Sequence, residues 1–237
     1  MLCVHGLTGT PYEVRPPAEA LARHGFACMG LLLPGHGETP QHLAETPRSV
    51  WLDAVLQAHD MLASSHGRVY LLGLSLGGVL SLAVAARRSV AGVVLLATPL
   101  ELRTLARWVV PVLAPLVGML PKRPAIRDRE ARQHHPGYRW MPLPAVQEVM
   151  RLQQELLGEL GRVTAPLCLV YSRRDPTVHP GNAERILKAV SSSEQEVRYL
   201  LRSGHVITVD LERQEVTRQV LQFLCKLEAR WPVDGSG

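Results

Sequence analysis

Scarce cysteine, absent metal-ligand spacing and a small charge excess set the first limits on this chain. Its four cysteines, Cys3, Cys28, Cys168 and Cys225, lie far apart and form no C-x-x-C pair, which removes zinc-ribbon and thiol-redox motifs. Three sit in apolar runs, where a free thiol behaves as a small hydrophobe. A reducing, cytoplasmic setting is therefore expected, with a bridge between Cys3 and Cys28 left open because both fall on neighbouring candidate strands. Ten histidines occur without H-x-H or H-E-x-x-H spacing, and surface placement accounts for them better than a metal centre does. Lys and Arg number 26 against 21 Asp and Glu, a formal charge of +5. That excess favours anionic surfaces or substrates. The arginines are scattered, however, and no helix-turn-helix, finger or RNP-like pattern occurs, so no nucleic-acid partner is expected. Nor does a basic stretch, apolar run and cleavage site open the chain, so no signal peptide is expected.

What is present is 237 residues, 46% of them hydrophobic, enough for one compact domain or one domain with an insertion. The longest uncharged run, residues 69–86, has the nominal length of a membrane span. Gly73, Ser75, Gly77 and Gly78 interrupt it, and it reads better as a buried strand, a tight turn and a buried helix. Short apolar strands are expected at residues 2–4, 26–33, 69–72, 93–97, 167–171 and 197–201. Helical spacing falls at residues 16–24 (closed by Gly25), 49–63 (with Ser49 as N-cap), 77–87, 183–190 and 212–227. Strands alternating with helices, most strands being continuously apolar, indicate an α/β fold with a mostly parallel sheet covered on both faces.

One segment breaks the rhythm. Residues 99–166 offer no convincing strand, and seven prolines lie between Pro111 and Pro144. Short helices are expected at residues 101–110 and 144–160. The expected division is a core of residues 1–100 and 161–237, with residues 101–160 inserted as a helical cap or lid. The run at residues 108–120 is strongly apolar and flanked by Arg103, Arg107, Lys122 and Arg123. It either lines an acyl channel, with peripheral lipid contact through the basic flanks, or merely packs on the core.

The chemistry concentrates in G-L-S-L-G-G, residues 73–78, directly after one candidate strand and before a helix. A nucleophilic serine needs a sharp strand-to-helix turn, and glycines two positions either side let strand and helix crowd together. The helix N-terminus then offers the Leu76 N–H to a developing oxyanion. A hydroxyl needs a base and an orienting acid. His205, in the loop after the last strand, and Asp175, in the loop after the strand at 167–171, occupy carboxyl ends of strands, where ligand crevices form.

Competitors are His179, only four residues from Asp175 but farther into the loop; His36, better read as a turn residue; Glu101, an acid after the strand at 93–97; and Asp210, read as part of the final helix. A second oxyanion donor is expected after the first strand, in H-G-L-T-G, residues 5–9. There Gly6 permits an unusual turn, Leu7 offers its N–H, and His5 is structural.

These motifs, together with G-H-G-E-T (residues 35–39), the Asp175 loop and S-G-H-V-I-T-V-D (residues 203–210), resemble the α/β-hydrolase superfamily. Within it, they resemble small bacterial carboxylesterases and monoacylglycerol lipases, over nearly the whole chain apart from the cap. The chain order Ser75, Asp175, His205 fits that superfamily. The resemblance implies nucleophile Ser75, acid Asp175, base His205 and oxyanion donors Leu7 and Leu76, with no metal or organic cofactor. The implied activity is serine-dependent hydrolysis of small-molecule acyl esters, short- to medium-chain, through an acyl-enzyme. Monoacylglycerol lipase and thioesterase activities use the same groups, and a silent hydrolase-like binding protein is the alternative of another class. The family usually places two strands ahead of the H-G motif, whereas here Met1 already falls inside the strand that leads into it. The strand at 26–33 is accordingly expected at a sheet edge with unpaired backbone groups.

Overall fold

A computed structural model describes residues 1–101, 104–122 and 125–230. Along the chain run β1 (Leu2–Val4), α1 (Arg15–Arg23), β2 (Met29–Leu31), α2 (Pro40–Glu45), α3 (Arg48–His66), β3 (Tyr70–Leu74), α4 (Leu76–Ala85) and β4 (Gly92–Leu96). There follow α5 (Thr104–Val117), β5 (Met119–Pro121), α6 (Arg129–His134), β6 (Trp140–Pro142), α7 (Leu143–Leu157), β7 (Leu167–Ser172), α8 (Asn182–Ala189), β8 (Gln195–Leu200) and α9 (Arg213–Glu228).

Six strands form one sheet in the order β2-β1-β3-β4-β7-β8, with every neighbouring pair parallel. Alternate side chains of each strand enter opposite layers, as the two-residue period requires. Leu71, Val93, Leu95 and Leu169 join the layer of α3, α4, α7 and α8. Leu72, Val94, Leu96 and Val170 join that of α1 and α9. Burial on both faces explains why these strands read as continuous apolar runs rather than alternating ones. The chain leaves β1 for β2 on one side and returns to β3 on the other, so the order reverses beside β1. In such sheets the crevice outside the carboxyl ends at this switch is where ligands bind.

Several sequence expectations need correction. The strand expected at residues 26–33 shrinks to the three residues of β2, which is an edge of the sheet. Ser49 does not cap α3: Pro47 holds that position and no side chain closes the helix end. The helix expected at 101–110 begins at Thr104 and continues through Pro111 and Pro115 to Val117. The segment between β4 and β7 does contain strands, because β5 and β6 pair antiparallel, with Leu120 opposite Met141. Such a short pair carries too few residues to show a period-two pattern. The short helices α2 and α6 have no counterpart among the expected elements, each being only six residues long. Arg103 and Arg123 lie outside the described residues, as do the side chains of Arg107 and Trp108. Cys3 and Cys28 are both free thiols, and burial pushes the Cys3 thiol up to about 12.

The described side chains of the apolar run at residues 108–120 are divided between packing and exposure. Val110 and Ala114 pack against Leu143 of α7 in a small cluster of their own. Val112, Leu116 and Val117, with Trp140 of β6, remain exposed. Among the described residues no helix is long and apolar enough to cross a membrane.

Candidate active site

Ser75 stands between β3 and α4 with φ 53° and ψ −115°, a left-handed conformation that an L-residue adopts only when its surroundings impose it. The surroundings here are the backbones themselves. A Cβ on Gly73 would collide with the main chain of Gly77 and Gly78, and one on Gly77 with the carbonyl of Val4. Ser75 N donates to Leu96 O at 2.8 Å, tying the turn to β4. Ser75 is half-buried, while its neighbours Leu74 and Leu76 are buried. Leu76 opens α4, so its N–H has no acceptor within the helix.

The loops after β7 and β8 bring Asp175 and His205 to the same crevice. Ser75 Oγ and His205 Nε2 are 2.9 Å apart, and His205 Nδ1 lies 2.7 Å from Asp175 Oδ2. The Asp175 carboxylate can only accept, so Nδ1 carries the ring proton and Nε2 is left to accept from the serine hydroxyl. Asp175 is itself fixed, its Oδ1 accepting from Thr177 N at 2.7 Å and Val178 N at 2.9 Å. Both Asp175 and His205 are buried, so this hydrogen-bonded series runs from the protein interior to a half-exposed hydroxyl.

The loop of residues 5–9 passes beside the serine: a Cβ on Gly6 would lie 3.4 Å from Ser75 Cβ. His5 is fully buried. Its Nε2 accepts from Leu33 N at 3.1 Å, and its Nδ1 therefore donates to Gly6 O at 2.9 Å. Burial holds this imidazole below its ordinary pKa, against the opposing charge of Glu13.

The competitors lie elsewhere. His179 is exposed, with Nδ1 accepting from Gly181 N. Glu101 pairs with Arg185 across the surface, and its amide donates to Asn182. His36 is buried in its turn, with Nδ1 3.2 Å from Pro34 O.

Asp210 belongs to no helix. It sits in the turn ahead of α9, fully buried, and accepts from Gly204 N (2.6 Å), Asp128 N (2.7 Å), Leu211 N (2.8 Å) and Arg127 N (3.0 Å). It thereby joins the His205 loop to the segment between β4 and β7, a tie reinforced by His205 N donating to Ala125 O at 2.7 Å. Glu212, in sequence no more than the first residue of a helix, accepts from Leu201 N, Arg202 N and Ser203 N in the same loop. The signal available in the sequence is an acid cluster close to a candidate base. Its acceptor role becomes visible only with the path of the loop.

A parallel sheet between two helical layers, with a strained serine at the switch point facing an imidazole and a buried carboxylate, defines an α/β-hydrolase. More particularly, the chain belongs to the family described as serine aminopeptidase, S33 (Hydrolase_4), which it matches over residues 1–212. It is 28% identical over 232 residues to the thermostable monoacylglycerol lipase of Bacillus sp. (strain H-257), covering 95% of this chain and 90% of that protein. It is 26% identical to a carboxylesterase of Bacillus subtilis (strain 168), covering 96% and 93% respectively. Among solved structures, one from work on the metagenome-derived lipolytic enzymes LipS and LipT superposes with a TM-score of 0.88 at 29% identity, covering 95% of this chain and 92% of that one. The chain is thus a serine hydrolase of the α/β type, similar to lipases and esterases.

Proposed function

We propose that this protein is a carboxylic ester hydrolase acting through an acyl-enzyme on short- to medium-chain acyl esters. The observation that carries the reading is the 2.9 Å approach of Ser75 Oγ to His205 Nε2, on an imidazole whose other nitrogen is held by Asp175. His205 takes the hydroxyl proton as Ser75 Oγ attacks the ester carbonyl, and Asp175 steadies the imidazolium. The N–H groups of Leu7 and Leu76 receive the oxyanion. The alcohol leaves with the proton from His205, and water, activated by the same imidazole, releases the acid and regenerates the serine.

In this reading residues 1–100 and 161–237 are the catalytic core and residues 101–160 a cap over the crevice. Four free cysteines support a reducing, cytoplasmic setting. A monoacylglycerol substrate is favoured by the 28% identical relative of that activity. The exposed Val112, Leu116 and Trp140 support peripheral contact of the cap with a lipid surface. Lys122 is turned toward the Leu7 loop, where its Nζ donates to Thr8 Oγ1 at 2.7 Å.

The test is hydrolysis of p-nitrophenyl esters from acetyl to dodecanoyl, and of monoacylglycerols, by the wild type and by Ser75→Ala. The reading expects the variant to lose several orders of magnitude in kcat on every substrate. Retained hydrolysis of the butyrate ester would refute it, and an inactive wild type would favour a hydrolase-like binding protein.

A further inference from the structure

The loop that carries Leu7 is held by groups the proposed reaction does not itself use. Within a trans peptide the carbonyl and the next amide point opposite ways, so fixing Gly6 O fixes the aim of Leu7 N–H. Gly6 O accepts from His5 Nδ1 at 2.9 Å and from Gly9 N at 3.0 Å. One peptide back, Gly6 N donates to Glu13 Oε2 at 2.9 Å. One residue ahead, Thr8 O accepts from Tyr138 N at 2.9 Å and Thr8 Oγ1 from Lys122 Nζ. Tyr138 and Lys122 belong to the segment between β4 and β7. So does His135, which is 2.9 Å from the other Glu13 oxygen through Nε2. His135 Nδ1 accepts from Gly137 N, so Nε2 carries the proton and donates to the carboxylate.

Glu13 is almost fully buried. Burial alone would raise its pKa. The hydrogen bond from His135 and the charges of Lys122, His135 and His5 outweigh that, and hold the carboxyl down to about 2. Gly9 leaves room for it, because a Cβ there would collide with the carboxylate. A buried anion is a costly occupant of a turn that an apolar residue could fill. This one faces an amide of the Leu7 loop with one oxygen and an imidazole of the inserted segment with the other.

We propose that Glu13 is a positioning residue for the oxyanion loop, and that His135 and Lys122 make the seating of the inserted segment a condition for aiming Leu7 N–H. The inference rests on the roles given above to Ser75 and Leu7. Its consequence is specific. The segment governs kcat even for an ester too small to touch it, whereas a segment that only shaped an acyl pocket would govern KM and chain-length preference.

The experiment measures p-nitrophenyl acetate hydrolysis per active site, titrated with a fluorophosphonate. Alongside it, affinity is measured for a trifluoromethyl ketone, whose serine adduct carries an oxyanion. Glu13→Gln leaves one amide oxygen for two donors. Its kcat is expected to fall about 10- to 100-fold, with KM within about threefold of wild type and the ketone bound weaker by the same factor as kcat. His135→Ala spares Glu13 and is expected to lose about three- to tenfold in both quantities, and His135→Gln, which keeps a donor, recovers most of it. Unchanged kcat and ketone affinity in His135→Ala overturn the proposal, even if Glu13→Gln cannot be folded. A deficit that appears only as fewer titratable sites, or an equal deficit in His135→Gln, overturns it too. The underlying reading fails separately, through activity retained by Ser75→Ala.

Discussion

Two buried carboxylates join the segment between β4 and β7 to the loops of His205 and Leu7, and they do so by different means. Asp210, on the side of His205, accepts from main-chain amides of Gly204, Leu211, Arg127 and Asp128. Glu13, on the side of Leu7, accepts from one amide and one imidazole. An amide is supplied by any residue except proline, so the Asp210 clamp depends on the path of the chain and hardly on which side chains follow it. The Glu13 clamp depends on a single side chain at position 135. The difference divides the labour: the His205 loop is tied through main-chain amides, and the Leu7 loop is tied in part through a side-chain contact that one substitution can release.

The largest expected effect comes from Asp210→Ala, which strands several buried amides together, each costing about 1–3 kcal/mol when left without an acceptor. Urea unfolding should show a loss of about 3–5 kcal/mol, while Arg127→Ala, which keeps its amide, should stay within about 0.5 kcal/mol of wild type. If the two variants proved equally stable, the backbone clamp would not be what holds this loop.

Gly9→Ala sharpens the contrast from the other side. Its methyl group displaces the Glu13 carboxylate, at an expected cost of about 1–3 kcal/mol, and its loss of turnover on the acetate ester should be disproportionate to that modest destabilisation. Wild-type turnover in this variant would leave the Glu13 contact without consequence for the site.

Acid unfolding reads the buried charges themselves, one pH window at a time. Glu13 is held near 2, below its ordinary 4.5, so its charge stabilises the fold above pH 4.5 and that contribution is lost as pH falls toward 2. Burial, helped by the neighbouring His5, holds His36 near 4 instead of 6.5. A neutral buried His36 contributes stability above pH 6.5 that is lost as pH falls toward 4. Glu13→Gln should flatten the lower part of the stability profile and His36→Gln the upper part. Profiles parallel to wild type in both would contradict these environments.

The sheet was legible in the sequence because each of its central strands is buried on both faces, so apolar continuity marks β3, β4 and β7 directly. Ser75, Asp175 and His205 stood out for a related reason: each follows a strand that could be read, and the fold gathers strand ends. The antiparallel pairing of β5 with β6 left no such trace, being three residues long on each side and half exposed. Glu13 and Asp210 were harder still. Glu13 meets His135 across 122 positions, and Asp210 meets Arg127 across 83. Both contacts join single turns and loops, whose paths no periodicity encodes. A charged residue in a loop reads as solvated until the chain that buries it is in view.

The central claim is that Ser75 is a nucleophile activated by the imidazole 2.9 Å away. Its most direct test is reaction with a fluorophosphonate, followed by mass spectrometry of the digested protein. The account predicts one adduct per chain, on the peptide that carries Ser75, absent from Ser75→Ala and formed far more slowly in His205→Asn. Labelling elsewhere, or equally fast labelling of Ser75 in the His205 variant, would contradict it.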